Sequence, residues 1–167
     1  MSEPRLPPHT LITTDDERFM VEALKEAWKS FDEQEVPVGT IVVHQGSIIG
    51  RGRNQVEALQ DATAHAEIIA IGAASNALSA WRLEECVLYS TLEPCCMCAG
   101  AMFLCRLPRL VWGAPDIRHG ANGSFTDLFS LAHPIHRVEV SKGVLSEWCA
   151  RPLQLFFQKR RKEVEGI

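Results

Sequence analysis

Residues 86–98 read Cys-Val-Leu-Tyr-Ser-Thr-Leu-Glu-Pro-Cys-Cys-Met-Cys, and they carry the chain from a strand into a helix. Cys86 to Thr91 is an apolar run that reads as a central strand. Pro94 fits the first turn of a helix expected to continue to about Arg106. The run Pro94-Cys95-Cys96-Met97-Cys98 contains P-C-x-x-C, which chance supplies on the order of 0.01 times in a chain of this length and composition. Cys95 and Cys98 are three apart, so on a helix both sulfurs face one way, as a single metal ion requires. A helix N-terminus also favours the thiolate, the ligand form of cysteine.

A second segment, Thr63-Ala64-His65-Ala66-Glu67, opens an apolar stretch that runs to Leu78 and reads as a helix buried almost all round against a sheet. His65 supplies a third donor of the type zinc accepts. Three protein ligands leave one tetrahedral position for water, the arrangement of a catalytic zinc site, and zinc brings the pKa of that water to about 7. Residues two apart on a helix point about 200° from one another, so Glu67 is not expected to bind the same ion as His65. Its carboxylate is expected to line the pocket and carry protons between water and substrate.

Alone, an H-x-E pair means little, since chance supplies roughly 0.5 in this chain. Separately, His65 reads as a core histidine, the cysteines as core thiols and Glu67 as a solvated cap. Their occurrence at the starts of two helices favours a site, and a purely structural zinc site would ordinarily use four side-chain ligands. Cys96 offers a competing C-x-C register with Cys98, but as the immediate helical neighbour of Cys95 it is expected to point elsewhere, into the core. Cys86, Cys105 and Cys149 lie on apolar stretches and read as packing residues.

Outward from these motifs, hydrophobic periodicity orders the rest. Residues 1–13 hold Pro4, Pro7 and Pro8 without periodicity and read as a flexible tail, leaving 14–167 as a single domain. Thr14 and Glu17 fit a capping box, followed by Phe19, Met20, Ala23, Leu24, Ala27, Trp28 and Phe31 at helical spacing. Thr40–His44 and Ile48–Arg53 flank Gln45-Gly46-Ser47 as a β-hairpin, and a polar loop runs from Asn54 to Thr63. Arg109–Gly113 and Arg137–Val140 read as strands, 114–124 as an exposed and functional loop, and about Ser146 to Val164 as the last helix. A hairpin followed by alternating helices and strands implies an α/β fold, a three-layer helix–sheet–helix sandwich with a partly parallel sheet.

The chain has 167 residues, 46% hydrophobic and 23% charged, which excludes disordered, collagenous and coiled-coil classes. No apolar run approaches the ~20 residues of a membrane span, and the first twenty residues lack a secretory pattern, so the expected location is the cytoplasm. Seventeen Lys and Arg against 21 Asp and Glu give a net charge of −4, which disfavours a general polyanion binder. The run Lys159-Arg160-Arg161-Lys162, following Phe156 and Phe157, is the densest basic group and the candidate for phosphate contacts.

The two motifs resemble the signature of the zinc-dependent nucleobase deaminases. Within that superfamily of cytidine and deoxycytidylate deaminases, the chain is most similar to the bacterial tRNA-specific adenosine deaminases. That narrower resemblance rests on Glu35-Val36-Pro37-Val38-Gly39, Thr91-Leu92-Glu93-Pro94-Cys95, Cys98-Ala99-Gly100-Ala101-Met102 and Phe156-Phe157 with its basic run, and the likeness spans about Val36 to Arg161. It implies a mixed five-stranded sheet between helices, a homodimer, and conversion of adenosine to inosine at the wobble position of a tRNA anticodon loop. It implies one zinc per chain on His65, Cys95 and Cys98, with Glu67 shuttling protons. It further implies that Asn54 hydrogen-bonds the base and that Val38, Leu92 and Phe157 shape its pocket, while Arg160 and Arg161 are weaker candidates for RNA contact. Two other readings stay open: a deaminase of a free base, nucleoside or nucleotide of guanine or cytosine type, which shares every zinc residue, and a non-catalytic RNA-binding zinc module.

Overall fold

Thr14 Oγ1 accepts the Glu17 backbone N–H at 3.2 Å, and a Glu17 carboxylate oxygen accepts the Thr14 N–H at 2.9 Å. This capping box starts α1 (Asp15–Asp32) in the computed structural model, which describes residues 4–166. The hairpin follows as β1 (Gly39–His44) and β2 (Ser47–Arg53), then a short α2 (Val56–Leu59) and α3 (Ala66–Leu78). The rest alternates: β3 (Cys86–Leu92), α4 (Cys96–Leu104), β4 (Arg109–Ala114), β5 (Glu139–Lys142) and α5 (Ser146–Glu165).

The sheet order is β2-β1-β3-β4-β5, antiparallel across β2-β1-β3 and parallel across β3-β4-β5. It is the mixed five-stranded sheet implied by the resemblance. Alternation along each strand divides the core into two layers. Val42, Leu88, Leu110 and Trp112 pack with Ala70 and Ala74 of α3 and Met102 of α4. Ile41, Val43, Tyr89 and Val111 face the other way, onto Met20 and Ala23 of α1 and Cys149 of α5. Gly52 lets α3 lie directly on β2, since a Cβ there would overlap the Ala66 carbonyl oxygen. The helix start that carries His65 and Glu67 is thereby seated against the sheet.

Several boundaries move from the sequence expectation. The polar stretch after Asn54 contains the turn of α2. Strand β5 is displaced from Arg137–Val140 because its parallel register with β4 pairs Arg109 with Glu139. Helix α3 is not buried all round: Ala66, Glu67, Ala70 and Ala74 form its buried stripe, while Ile68, Ile69 and Ile71 are half-buried, because no further layer covers its outer side among the described residues. Cys96 is exposed, not core, because it begins α4 on the side away from the sheet. Cys86, Cys105 and Cys149 are buried as expected.

The expected tail gives way to contacts from Arg5 onward, while residues 1–3 lie outside the described residues. Arg5 pairs with both carboxylate oxygens of Asp32 at 2.7 and 2.8 Å, its carbonyl accepts Trp28 Nε1–H at 2.6 Å, and Leu6 packs on the Leu24–Trp28 cluster. These contacts are one residue long each and leave no periodicity for a sequence pattern to register. No helix among the described residues is long and apolar enough to cross a membrane.

Candidate active site

The two motifs meet where α3 and α4 begin. His65 is the N-cap of α3 and Cys95 the N-cap of α4, both extended, with φ/ψ of −72°/150° and −74°/174°. Each helix therefore starts one or two residues later than the sequence suggests, and neither His65 nor Cys95 is bound by helical spacing. The extended caps turn both side chains inward, and Cys98, one turn into α4, completes the group.

His65 Nδ1 lies 3.6 Å from Cys95 Sγ and 3.5 Å from Cys98 Sγ, and all three donor atoms fall within 4.8 Å of one another. Zinc bonds of ~2.3 Å to sulfur and ~2.0–2.1 Å to nitrogen, set at a tetrahedral angle, separate the donors by about 3.6 Å. Donor chemistry and spacing both fit one zinc ion. The Cys95 thiol is held down to about 3 by a hydrogen bond from Cys98 and, against its burial, by His65. The same pairing pushes the Cys98 thiol well above its ordinary value. His65 is raised in turn, chiefly by Cys95. The group thus concentrates negative charge on sulfur where a cation would sit.

Glu67 is the second residue of α3 and is 4% exposed. Burial pushes its carboxyl up to about 7, against the pull of its own backbone N–H and of His65. A carboxyl near neutrality is the form that both takes and gives a proton at physiological pH.

Beside this group opens a cleft of about 680 Å³. His65, Glu67 and Cys95 line it, and so do Val38, Asn54, Leu92 and Phe157. These seven come from both sheet regions and from α5, so only the tertiary fold brings them together. Cys98 is fully buried behind the cleft. Arg160 and Arg161 stand apart from it: Arg160 packs over Phe156 at 5.4 Å and lies 3.8 Å from Glu163, while Arg161 is exposed.

Two buried carboxylates that the sequence does not single out as functional frame the cleft. Glu35 accepts from Asn54 Nδ2 at 3.2 Å and from the backbone N–H groups of Glu57 and Ala58 at 3.3 and 2.7 Å. Ser30 Oγ donates to the Asn54 carbonyl at 2.7 Å, so Asn54 is fixed at main chain and side chain alike. Glu93, on the opposite side, holds the loop whose residues Pro115 to His119 form the cleft's outer wall. Each of the two lies within a segment that carries the resemblance, but the residue type alone gives it no role and fits a solvated position equally well.

Residues 13–114 match the model of the cytidine and deoxycytidylate deaminase zinc-binding region. The chain belongs to this zinc-dependent deaminase family. Among characterised relatives it is 45% identical to the tRNA-specific adenosine deaminase of Bacillus subtilis (strain 168), across 90% of this chain and 93% of that one. It is 49% identical to the chloroplastic tRNA(adenine(34)) deaminase of Arabidopsis thaliana over 88% of its own length, which is 12% of that much longer protein. A structure solved in studies of A-to-I editing by tRNA:A34 deaminases at the wobble position superposes with a TM-score of 0.78 at 41% identity, covering 81% of this chain and 99% of that one. A guanine deaminase from Bacillus subtilis superposes less closely, with a TM-score of 0.59 at 30% identity over 87% of this chain and 95% of that one.

Proposed function

We infer that this chain is a zinc-dependent hydrolase that converts adenosine to inosine at the wobble position of a tRNA anticodon loop. The observation that carries the reading is one cleft holding His65, Glu67 and Cys95 together with Val38, Asn54, Leu92 and Phe157. The B. subtilis tRNA deaminase matches this chain at 45% identity over nearly the whole of both proteins, against 30% for the guanine deaminase, which favours the nucleic acid substrate over a free base.

His65, Cys95 and Cys98 hold the zinc, which when bound activates a water as a nucleophile at neutral pH. Glu67 takes a proton from the attacking water and delivers it to a ring nitrogen of the adenine. It then passes the second proton to the amino group that departs from C6. Water enters, ammonia leaves, and the carbonyl of inosine remains. Asn54, immobilised by Ser30 and Glu35, presents its amide to the base edge, and Val38, Leu92 and Phe157 enclose the ring. The target base must be splayed from its stack to reach this depth, which is easiest in a single-stranded loop.

The tRNA is engaged through its anticodon stem-loop, and the protein works as a cytoplasmic homodimer. Trp81, Leu104 and Phe125 expose large apolar side chains of the kind a second copy covers. Ammonia release measured with an anticodon stem-loop, free adenosine, guanine and cytidine tests the substrate class. Turnover of the stem-loop alone is expected, and equal turnover of a free base or nucleoside replaces this reading with a small-molecule deaminase. Sedimentation of the zinc-loaded protein at twice the chain mass is expected, and a monomer at working concentrations removes the dimer.

A further inference from the structure

Glu93 takes no part in the chemistry assigned above, yet at 1% exposure it is as buried as the hydrophobic core. Its Oε1 accepts the backbone N–H groups of Asn122 at 2.8 Å and Ser124 at 3.2 Å. Its Oε2 accepts the Asp116 N–H at 3.1 Å and the Ser124 hydroxyl. Four donors thus reach one carboxylate from the two ends of a single loop. Gly120 seats the middle of that loop on the same group, since a Cβ there would collide with the Glu93 carboxyl and the Asp116 carbonyl. The Ala121 N–H completes the seam by donating to Pro94 O at 2.8 Å.

Between these anchors the chain bulges outward. Pro115, Ile117, Arg118 and His119 are exposed, yet all of 115–119 lines the cleft. The 115–119 part of the loop faces the substrate's space, while Asp116, Asn122 and Ser124 close on a carboxylate two residues before Cys95. A loop of this length would otherwise sample many conformations, and binding a substrate would then carry the cost of ordering it.

We propose that Glu93 is the positioning residue that presets the 115–119 wall for the nucleic acid substrate. This rests on the functional reading above. Glu93 satisfies the Asp116, Asn122 and Ser124 N–H groups, and Asp116, so held, accepts the Arg118 and His119 N–H groups with its own carboxylate, so the wall is already in place when the substrate arrives. Glu93 does not touch the reacting atoms, and its effect belongs in substrate affinity rather than in the rate of the bound complex.

In Glu93→Gln one acceptor oxygen becomes an amide NH₂ set against N–H donors. Zinc content is expected to stay at one per chain. The amides of Asp116, Asn122 and Ser124 are expected to exchange with deuterium faster, while those of β3 and α4 keep their protection. KM for the stem-loop is expected to rise about tenfold with kcat changed less than about threefold. Ser124→Ala, at an exposed site that folds without difficulty, removes one arm and is expected to raise KM in the same direction by about threefold. Unchanged exchange at the three amides overturns the tether, and loss of zinc in Glu93→Gln makes the residue a support of the metal group instead. Faster exchange with unchanged KM in both variants shows that the substrate does not use the wall. If wild-type protein leaves the stem-loop untouched, the functional reading has failed, and exchange still decides whether Glu93 holds the loop.

Discussion

The floor and the rim of the cleft are built in opposite ways. The floor is made of side chains at the starts of α3 and α4, each helix pressed on the sheet by fully buried residues such as Ala70, Ala74 and Met102. The rim is made of the largely exposed 115–119 segment with Leu153 and Phe157 of α5. Packing over-determines the floor, so His65 Nδ1 and both sulfurs stay within reach of one ion. Hydrogen bonds hold the loop part of the rim: Glu93 accepts from Asp116, Asn122 and Ser124, and the Asp116 carboxylate accepts the Arg118 and His119 N–H groups. The proposed function puts chemistry, which tolerates little displacement, on the first and recognition, which varies with substrate, on the second.

Changes in the floor are expected to abolish activity, and changes in the rim only to tune it. The largest effect belongs to Cys95→Ala, which removes a ligand from the group. Zinc measured by metal analysis is expected to be largely absent, with turnover undetectable and thermal stability reduced, since metal-binding energy is also folding energy. Full zinc and normal turnover in this variant would break the floor assignment outright.

Glu67→Gln comes next and separates metal from proton transfer. The variant is expected to keep its zinc and its fold while single-turnover deamination falls by ~10²–10⁴-fold. A loss smaller than about tenfold takes Glu67 out of the proton path.

The same substitution has a second consequence, in stability rather than rate. Glu67 titrates near 7 in the folded, metal-free protein and at 4.5 as an ordinary carboxyl. The folded state therefore binds the extra proton between those values, and stability falls as pH rises from 4.5 to about 7. Above that window the buried charge costs the metal-free protein on the order of 3 kcal/mol. Urea denaturation at pH 5 and pH 8, with zinc removed, is expected to show Glu67→Gln gaining on the wild type at the higher pH. Parallel pH profiles for the two proteins would mean that Glu67 ionises as if in solvent.

The smallest effect is expected from charges beyond the rim, farther along α5. Replacing Arg160 and Arg161 together with Ala should leave zinc content unchanged and weaken stem-loop binding modestly. For every phosphate left unneutralised, the salt dependence should flatten by roughly 0.7 log units per log unit of salt. Arg160 already packs over Phe156 and faces Glu163, so of the two, Arg161 is expected to carry more of the salt dependence. An unchanged slope removes α5 from the RNA interface.

The same contrast separates what is legible in the chain alone from what is not. His65, Cys95 and Cys98 are legible because metal ligation demands particular residue types at short, fixed spacings, and a cluster of these is rare by chance. The order of elements is legible because burying one face of a strand or helix imprints a period of two or of 3.6 on the residues. Cys96 is misplaced by sequence reasoning because a helix start is set by backbone geometry, and moving it by two residues turns a core position into an exposed one. Glu35 and Glu93 escape notice as functional residues because a buried carboxylate looks, in sequence, like a solvated one.

Residue types and their spacing along the chain are thus enough for the metal group, the alternation of helices and strands and, through the resemblance, the family. Those depend on residue identity and on neighbours a few positions apart. It takes the folded layers to bring Val38, Asn54, Leu92 and Phe157 into one cleft with Glu67, and to close both ends of the loop beside it on Glu93. Such contacts join positions far apart in the chain and leave no periodic trace in the sequence. Burial, which raises Glu67 toward neutrality and makes the hydrogen bonds of Glu93 matter, comes into being only when the layers close.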